Sequence, residues 1–210
     1  WGIYRMVTKR ELANKIETVS GSKYLEAGIH DDVKLVSARA AVSMNGNNFL
    51  EVKFEKNGKE LVHTEWEPTP SPNATEEQTQ AKATNQVSRI MQILKCFYPV
   101  EMLTFTGASY KEFIIWVVNL LNNADKSKLL KVKVVYNAKG YTTLPNYAKF
   151  AFIEPMVLPE GQESKIAELG IDVFTRPVIA DKEVNVTNPL ENMTSGFAST
   201  QASASNDLPF

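Results

Sequence analysis

A mainly-β domain with a helical insertion and a low-complexity tail is predicted by three features of this sequence. Period-two alternation of apolar and charged residues runs through 49–56 and resumes at 130–136. Between these stretches, Thr75 and Ser109 each stand three residues before a Gln or Glu and open an apolar helical stripe. Beyond about Asp181 no periodic apolar pattern survives, and Ser, Thr, Asn and Ala dominate. A chain of 210 residues suffices for one domain with a sizeable core plus appendages, so one domain is expected.

Taken in order, Trp1 is not a start-codon product, Met6 precedes a well-formed beginning, and residues 1–5 are assigned no function. Thr8-Lys9-Arg10-Glu11 reads as a capping box for a short helix through about Val19, within an N-terminal extension over 1–23. Gly21 and Ser22 break it, and Gly28 leads into a first long strand from Val33 to Val42. Lys34 and Arg39 fall on opposite faces of that strand, and Asp31-Asp32 reads as a turn before it. Asn45-Gly46-Asn47-Asn48 turns the chain into Phe49–Lys56, with Leu50, Val52 and Phe54 on one face and Phe49, Glu51, Lys53 and Glu55 on the other. Asn57-Gly58 is a hairpin signal, because both central positions of a type I′ turn need positive φ; it feeds a third strand, Lys59 to Trp66.

The proline-rich stretch from Glu67 to Pro72 cannot continue a sheet. Two helices follow. The first carries Val87, Ile90, Met91, Leu94 and Phe97 on its buried face, and the second Phe113, Ile114, Val117, Val118 and Leu121. A fourth strand then alternates Leu130, Val132, Val134 and Tyr136 with Lys131 and Lys133, and after a turn at 137–140 a last strand runs from Tyr147 to Ile153. Three strands, a helical insertion over 75–123 and two more strands give the order of a five-stranded OB-like antiparallel barrel at residues 24–158, although a generic α+β domain shares that order. Residues 159–180 are expected to dock on the body, with one helical turn at Ser164–Gly170 and an extended piece at Ile171–Val178, and 181–210 to form a flexible tail.

Charge is unevenly spread: residues 1–160 hold 20 Lys and Arg against 17 Asp and Glu, and residues 161–210 hold 3 against 7. Such a split suits a body that meets a polyanion and a tail kept off it. Cys96 is the single cysteine, so neither an internal disulfide nor a cysteine-based zinc cluster is expected; with His30 and His63 in separate segments, no metal site or cofactor is expected either. No apolar run is long enough to cross a bilayer and no signal-peptide core is evident, so a cytoplasmic location without membrane association is expected.

The most informative residues are Asp207-Leu208-Pro209-Phe210. A carboxylate beside an aromatic ring suits a partner pocket that pairs an apolar hole with a basic rim, and proline lowers the ordering cost. This ending resembles the C-terminal tip of bacterial single-stranded DNA-binding proteins, an acidic stretch followed by Ile or Leu, Pro and Phe; Ala204, Ser205 and Asn206 depart from it where that family has further acids. Gly28–Val42, the Phe49–Trp66 hairpin and Tyr141–Tyr147 are also similar in outline to phage-encoded members. The resemblance implies that the body coats single-stranded DNA during replication, recombination or repair. It also implies that Asp207, Leu208, Pro209 and Phe210 recruit a polymerase, helicase, primase or nuclease.

Holding single strands without reading sequence takes cations for phosphates and aromatic faces for bases. The candidates are Arg39 on strand one, Phe49 and Lys53 on strand two, Trp66 at the end of strand three, Lys131 and Lys133 on strand four, Tyr141 in a turn, and Tyr147 with Lys149 on the last strand. Each has a plainer reading. Alternating lysines also mark an ordinary solvated face, Trp66 also fits packing under the proline-rich loop, and Phe54, Phe150 and Phe152 fall on the core phase. An enzyme is not expected: acids are scattered singly, His63 lacks a visible partner, and no Gly-rich phosphate loop is present. A phage structural or adaptor protein using its tail for protein contacts is the alternative. Self-association, strand annealing and DNA against RNA preference stay open.

Overall fold

A computed structural model describes residues 23–178. Its strands are β1 (Gly28–Val42), β2 (Asn48–Lys56), β3 (Lys59–Trp66), β4 (Leu130–Tyr136), β5 (Thr142–Thr143) and β6 (Ile153–Pro155). Between β3 and β4 lie α1 (Glu76–Lys95), a 3-10 turn (Val100–Met102) and α2 (Tyr110–Asn122). The antiparallel sheet runs β3-β2-β1-β4-β5, with β6 paired to β4. The helix expected at 8–19 and the tail with its tip at 207–210 lie outside the described residues.

The β2–β3 hairpin follows from its sequence residue for residue. Asn57 and Gly58 take φ of 51° and 79°, and the register pairs Phe49 with Trp66 and Phe54 with Leu61. Leu50, Val52, Phe54 and Leu61 are buried and form the inner face. Both capping boxes are present. Thr75 accepts from the Gln78 amide while the Gln78 side chain accepts from the Thr75 amide, and Ser109 and Glu112 do the same. Phe113, Ile114, Val117 and Leu121 of α2 enter the core, and Asn122 ties that helix to β1 by bonding both the amide and the carbonyl of Ala38.

β1 is longer than expected and serves two partners in succession. Its first half, Gly28 to Val33, lies against β4, and its second half against β2. The ladder shifts between His30 and Val33, where Asp32 takes φ of 57°, so Asp31-Asp32 is a bulge inside the strand, at a residue type that tolerates left-handed backbone. A second shift lies between Leu35 and Ser37. It leaves Val36 unpaired and reverses the phase, so that Lys34 shares the outward face with Arg39 rather than opposing it.

Three further expectations are corrected. α1 buries Ile90 and Leu94, and Met91 and the following Phe97 pack against the core as expected, but Val87 is 41% exposed, and Gln86, whose Nε2 donates to the Trp66 carbonyl at 2.6 Å, is buried beside it. No strand forms over 147–152. Gln92 of α1 instead donates to the carbonyls of Ala148 and Phe150 and accepts from the Phe152 amide, occupying groups a ladder would need, and only Ile153–Pro155 pairs with β4. Phe152 is buried but Phe150 is 42% exposed. Finally, Ser164–Gly170 holds no helical turn.

Candidate nucleic-acid interface

The bulge at Val36 and the hairpin register together build one outward sheet face. Cross-strand neighbours on it are Ala41, Phe49 and Trp66; then Arg39, Glu51 and Thr64; then Ser37, Lys53 and Val62; then Lys34, Glu55 and Glu60. The Phe49 and Trp66 ring centroids lie 4.8 Å apart, and the Arg39 guanidinium carbon sits 5.5 Å from the Phe49 centroid. Arg39 also grips Glu51 bidentately, at 2.9 and 3.1 Å. Those hydrogen bonds raise the guanidinium's pKa and hold the Glu51 carboxyl below the usual range, so both stay charged. Trp66 is 50% exposed, leaving part of its ring open to solvent. A cation and two mutually tilted rings side by side on an open sheet can accept a planar partner. The face carries acids as well: Lys34, Arg39 and Lys53 are matched by Glu51, Glu55 and Glu60.

The other expected residues are placed elsewhere. Lys131 is half-buried and 3.9 Å from Asp31. Lys133 is not on a solvated face. It is 0% exposed and donates to Asp172 Oδ2 and to the Tyr147 hydroxyl, both at 2.8 Å. Tyr147 in turn donates to Asp172 Oδ1 at 2.8 Å, so the phenol meant for stacking is held in a network. Burial works to raise the Asp172 carboxyl, but the bonds from Lys133, the Leu169 amide and Tyr147 outweigh it and hold the carboxyl below its ordinary value. Burial and the same carboxylate push the Tyr147 phenol up. Lys149 is exposed beside Phe150, 6.0 Å from its ring centroid. Tyr141 is 65% exposed, on the turn before β5.

A second buried network joins β3, β5 and α1. Glu65 accepts two bonds from Arg89, at 2.8 and 2.9 Å, and one from His63 Nε2 at 2.8 Å; His63 Nδ1 meets the Thr143 hydroxyl at 2.9 Å. Desolvation opposes ionisation of Glu65, yet these donors lower its pKa to about 2. His63, expected at or near the surface without a partner, is buried and bonded on both nitrogens. Compared with known proteins, the chain matches no family model and no curated protein. Among the described residues no group of three or more His, Cys, Asp or Glu is placed to hold a metal ion, and no helix is long and apolar enough to cross a membrane.

A cleft of about 350 Å³ opens where β3 approaches β5, lined by Tyr24, Val62, Tyr136, Tyr141 and Arg176. Of these only Tyr141 was marked by the sequence. Tyr136 falls on the apolar phase of β4, and Arg176 sits in a stretch without periodicity, so no local pattern announces either one.

Proposed function

We propose that this protein is a non-catalytic single-stranded DNA-binding protein, with an OB-like barrel completed where β3 meets β5 and a tail whose Asp207-Leu208-Pro209-Phe210 motif recruits replication, recombination or repair proteins. The observation that carries the reading is the cluster of Arg39, Phe49 and Trp66 on an exposed sheet face. Its rings offer flat apolar surface to bases, and Arg39, Lys53 and Lys34 border them with positive charge. The His63–Thr143 bond between β3 and β5 supports the barrel.

The test is a titration with oligo-dT at two salt concentrations, followed by tryptophan fluorescence in the wild type and in a Trp66→Phe variant. Expected are quenching that resides in Trp66, affinity that falls as salt rises, and a loss on Phe49→Ala of about 1–3 kcal/mol, the contribution of one stacked base. Absence of binding at low salt overturns the reading. In that event the adaptor alternative takes its place, which the balance of three cations and three acids on the same face favours.

A further inference from the structure

We infer that the cleft between β3 and β5 is a nucleotide subsite, with Tyr141 as the stacking ring and Arg176 as the phosphate-binding cation. This rests on the proposed single-strand binding and extends it to a place that the sheet face alone does not define.

Four observations bring the chemistry together. First, Arg176 is held there by structure built well before it. Asp172 is anchored by Lys133, Tyr147 and the Leu169 amide, and the Tyr136 amide donates to the Val173 carbonyl at 2.9 Å. These tethers fix the chain three residues upstream of Arg176 against β4. Second, the arginine side chain lies over Gly140: a Cβ at that glycine, which takes φ of 78°, would stand 3.4 Å from Arg176 Nε. Glycine is favoured there by its left-handed backbone, and a side chain at that position would stand in van der Waals contact with the arginine.

Third, Arg176 is exposed and has no hydrogen-bond or ion-pair partner among the described residues. The acid on the cleft wall, Glu26, faces Lys59 at 3.8 Å, so its charge is already countered. An anion is what the arginine lacks, and a guanidinium suits phosphate in particular. Fourth, the cleft is continuous with the proposed binding face. Val62 lines it and is also the cross-strand neighbour of Lys53. From Trp66 to Val62 along β3 is about 13 Å at strand rise, a length that roughly four nucleotides stacked at 3.4 Å would cover. Tyr141, 65% exposed, offers ring surface at the end of that path. A volume of about 350 Å³ falls within the range of small-molecule sites and suits one nucleotide rather than a peptide segment.

The experiment titrates the full chain with labelled dT oligonucleotides of increasing length, by polarisation, at several salt concentrations. Tyr141→Ala is expected to weaken binding of the longer oligonucleotides about 5- to 150-fold, the equivalent of one lost stack. Tyr141→Phe, which keeps the ring, restores it. Arg176→Ala is expected to flatten the slope of log affinity against log salt by about 0.7, the share of one single-strand phosphate. Lys95→Ala, which removes an exposed charge at the end of α1, leaves the slope unchanged. Both cleft positions are exposed, and thermal unfolding followed by circular dichroism checks each variant's fold. If Tyr141→Ala and Arg176→Ala bind with wild-type affinity and slope while Phe49→Ala is weakened, the subsite is overturned and the sheet-face reading stands. If the wild-type chain ignores dT, that reading falls and takes the subsite with it. Tighter binding of rU than of dT at equal length overturns the assignment to DNA.

Discussion

Arg39–Glu51 and Lys133–Asp172 are both cation–carboxylate pairs whose basic partner was expected on a strand's solvated face, and they end in opposite environments. The first lies on the outward face of β1 and β2, where the Arg39 side chain is 61% exposed. The second has both side chains wholly out of contact with solvent, because residues 169–173 lie over β4. An exposed pair exchanges water for a partner at little net gain, whereas a buried pair has lost its water and depends on its partner. What covers a strand, more than what the strand is made of, therefore decides whether a lysine on it is a binding group or part of the core.

Breaking the buried pair gives the largest expected effect. Lys133→Met leaves the Asp172 carboxylate buried with only the Leu169 amide and Tyr147 as donors, and should cost about 3–5 kcal/mol of stability in urea unfolding. The double variant Lys133→Met, Asp172→Leu should recover part of this, since no charge remains stranded. Recovery stays incomplete because Tyr147 and the Leu169 amide lose their acceptor, at about 1–3 kcal/mol for a group left unsatisfied. A double variant no more stable than Lys133→Met alone would show that the pair does not account for the loss.

Acid sharpens the same contrast. Glu65, buried between Arg89 and His63, titrates near pH 2 in the folded protein instead of near its ordinary 4.5. A carboxyl depressed in the folded state adds stability that is fully present above the unfolded pKa and is lost as pH falls toward the folded one. The window is therefore about pH 4.5 down to 2, and the stake is about 3 kcal/mol. Asp172 shifts in the same direction and steepens the decline. Urea midpoints measured across this range should fall toward low pH, and Glu65→Gln should lower the plateau and flatten the acid limb. A limb of unchanged slope in that variant would assign the acid sensitivity to other carboxyls.

The division between wet and dry faces also explains what could be read in advance. The β2–β3 hairpin was legible because one of its faces is buried and the other is not, so alternation encodes orientation, and Asn57-Gly58 fixes the register. Both helix starts were legible because a capping box is a local device. β4 is buried on both sides from Val132 to Val135, and there alternation loses its meaning: Val132 and Lys133 point to opposite faces and neither reaches water. Side chains from distant segments overrode the pattern elsewhere. Gln92 took the backbone groups of 148–152, and Gln86, bonded to the Trp66 carbonyl, is buried on α1 while Val87 is not. One unpaired residue, Val36, moved Lys34 to Arg39's side. Half of the candidate interface was visible for the same reason the hairpin was, since Arg39, Phe49, Lys53 and Trp66 meet through its register. Arg176 was not, because only a tertiary tether at Asp172 brings it there.

The smallest effect on stability, and the one most specific to the proposed function, comes from the exposed pair. Glu51→Gln keeps the side chain's shape and removes the anion that Arg39 now holds at 2.9 and 3.1 Å. Because that pair lies in water on an open face, the unfolding midpoint should stay within experimental error of wild type. The face would then carry three cations against two acids, with Arg39 still 5.5 Å from the Phe49 ring centroid but released to a phosphate. Affinity for oligo-dT should rise, and the salt dependence should steepen by about 0.7, one phosphate's share. An unchanged slope would mean that Arg39 does not meet the strand and that its place over Phe49 is structural.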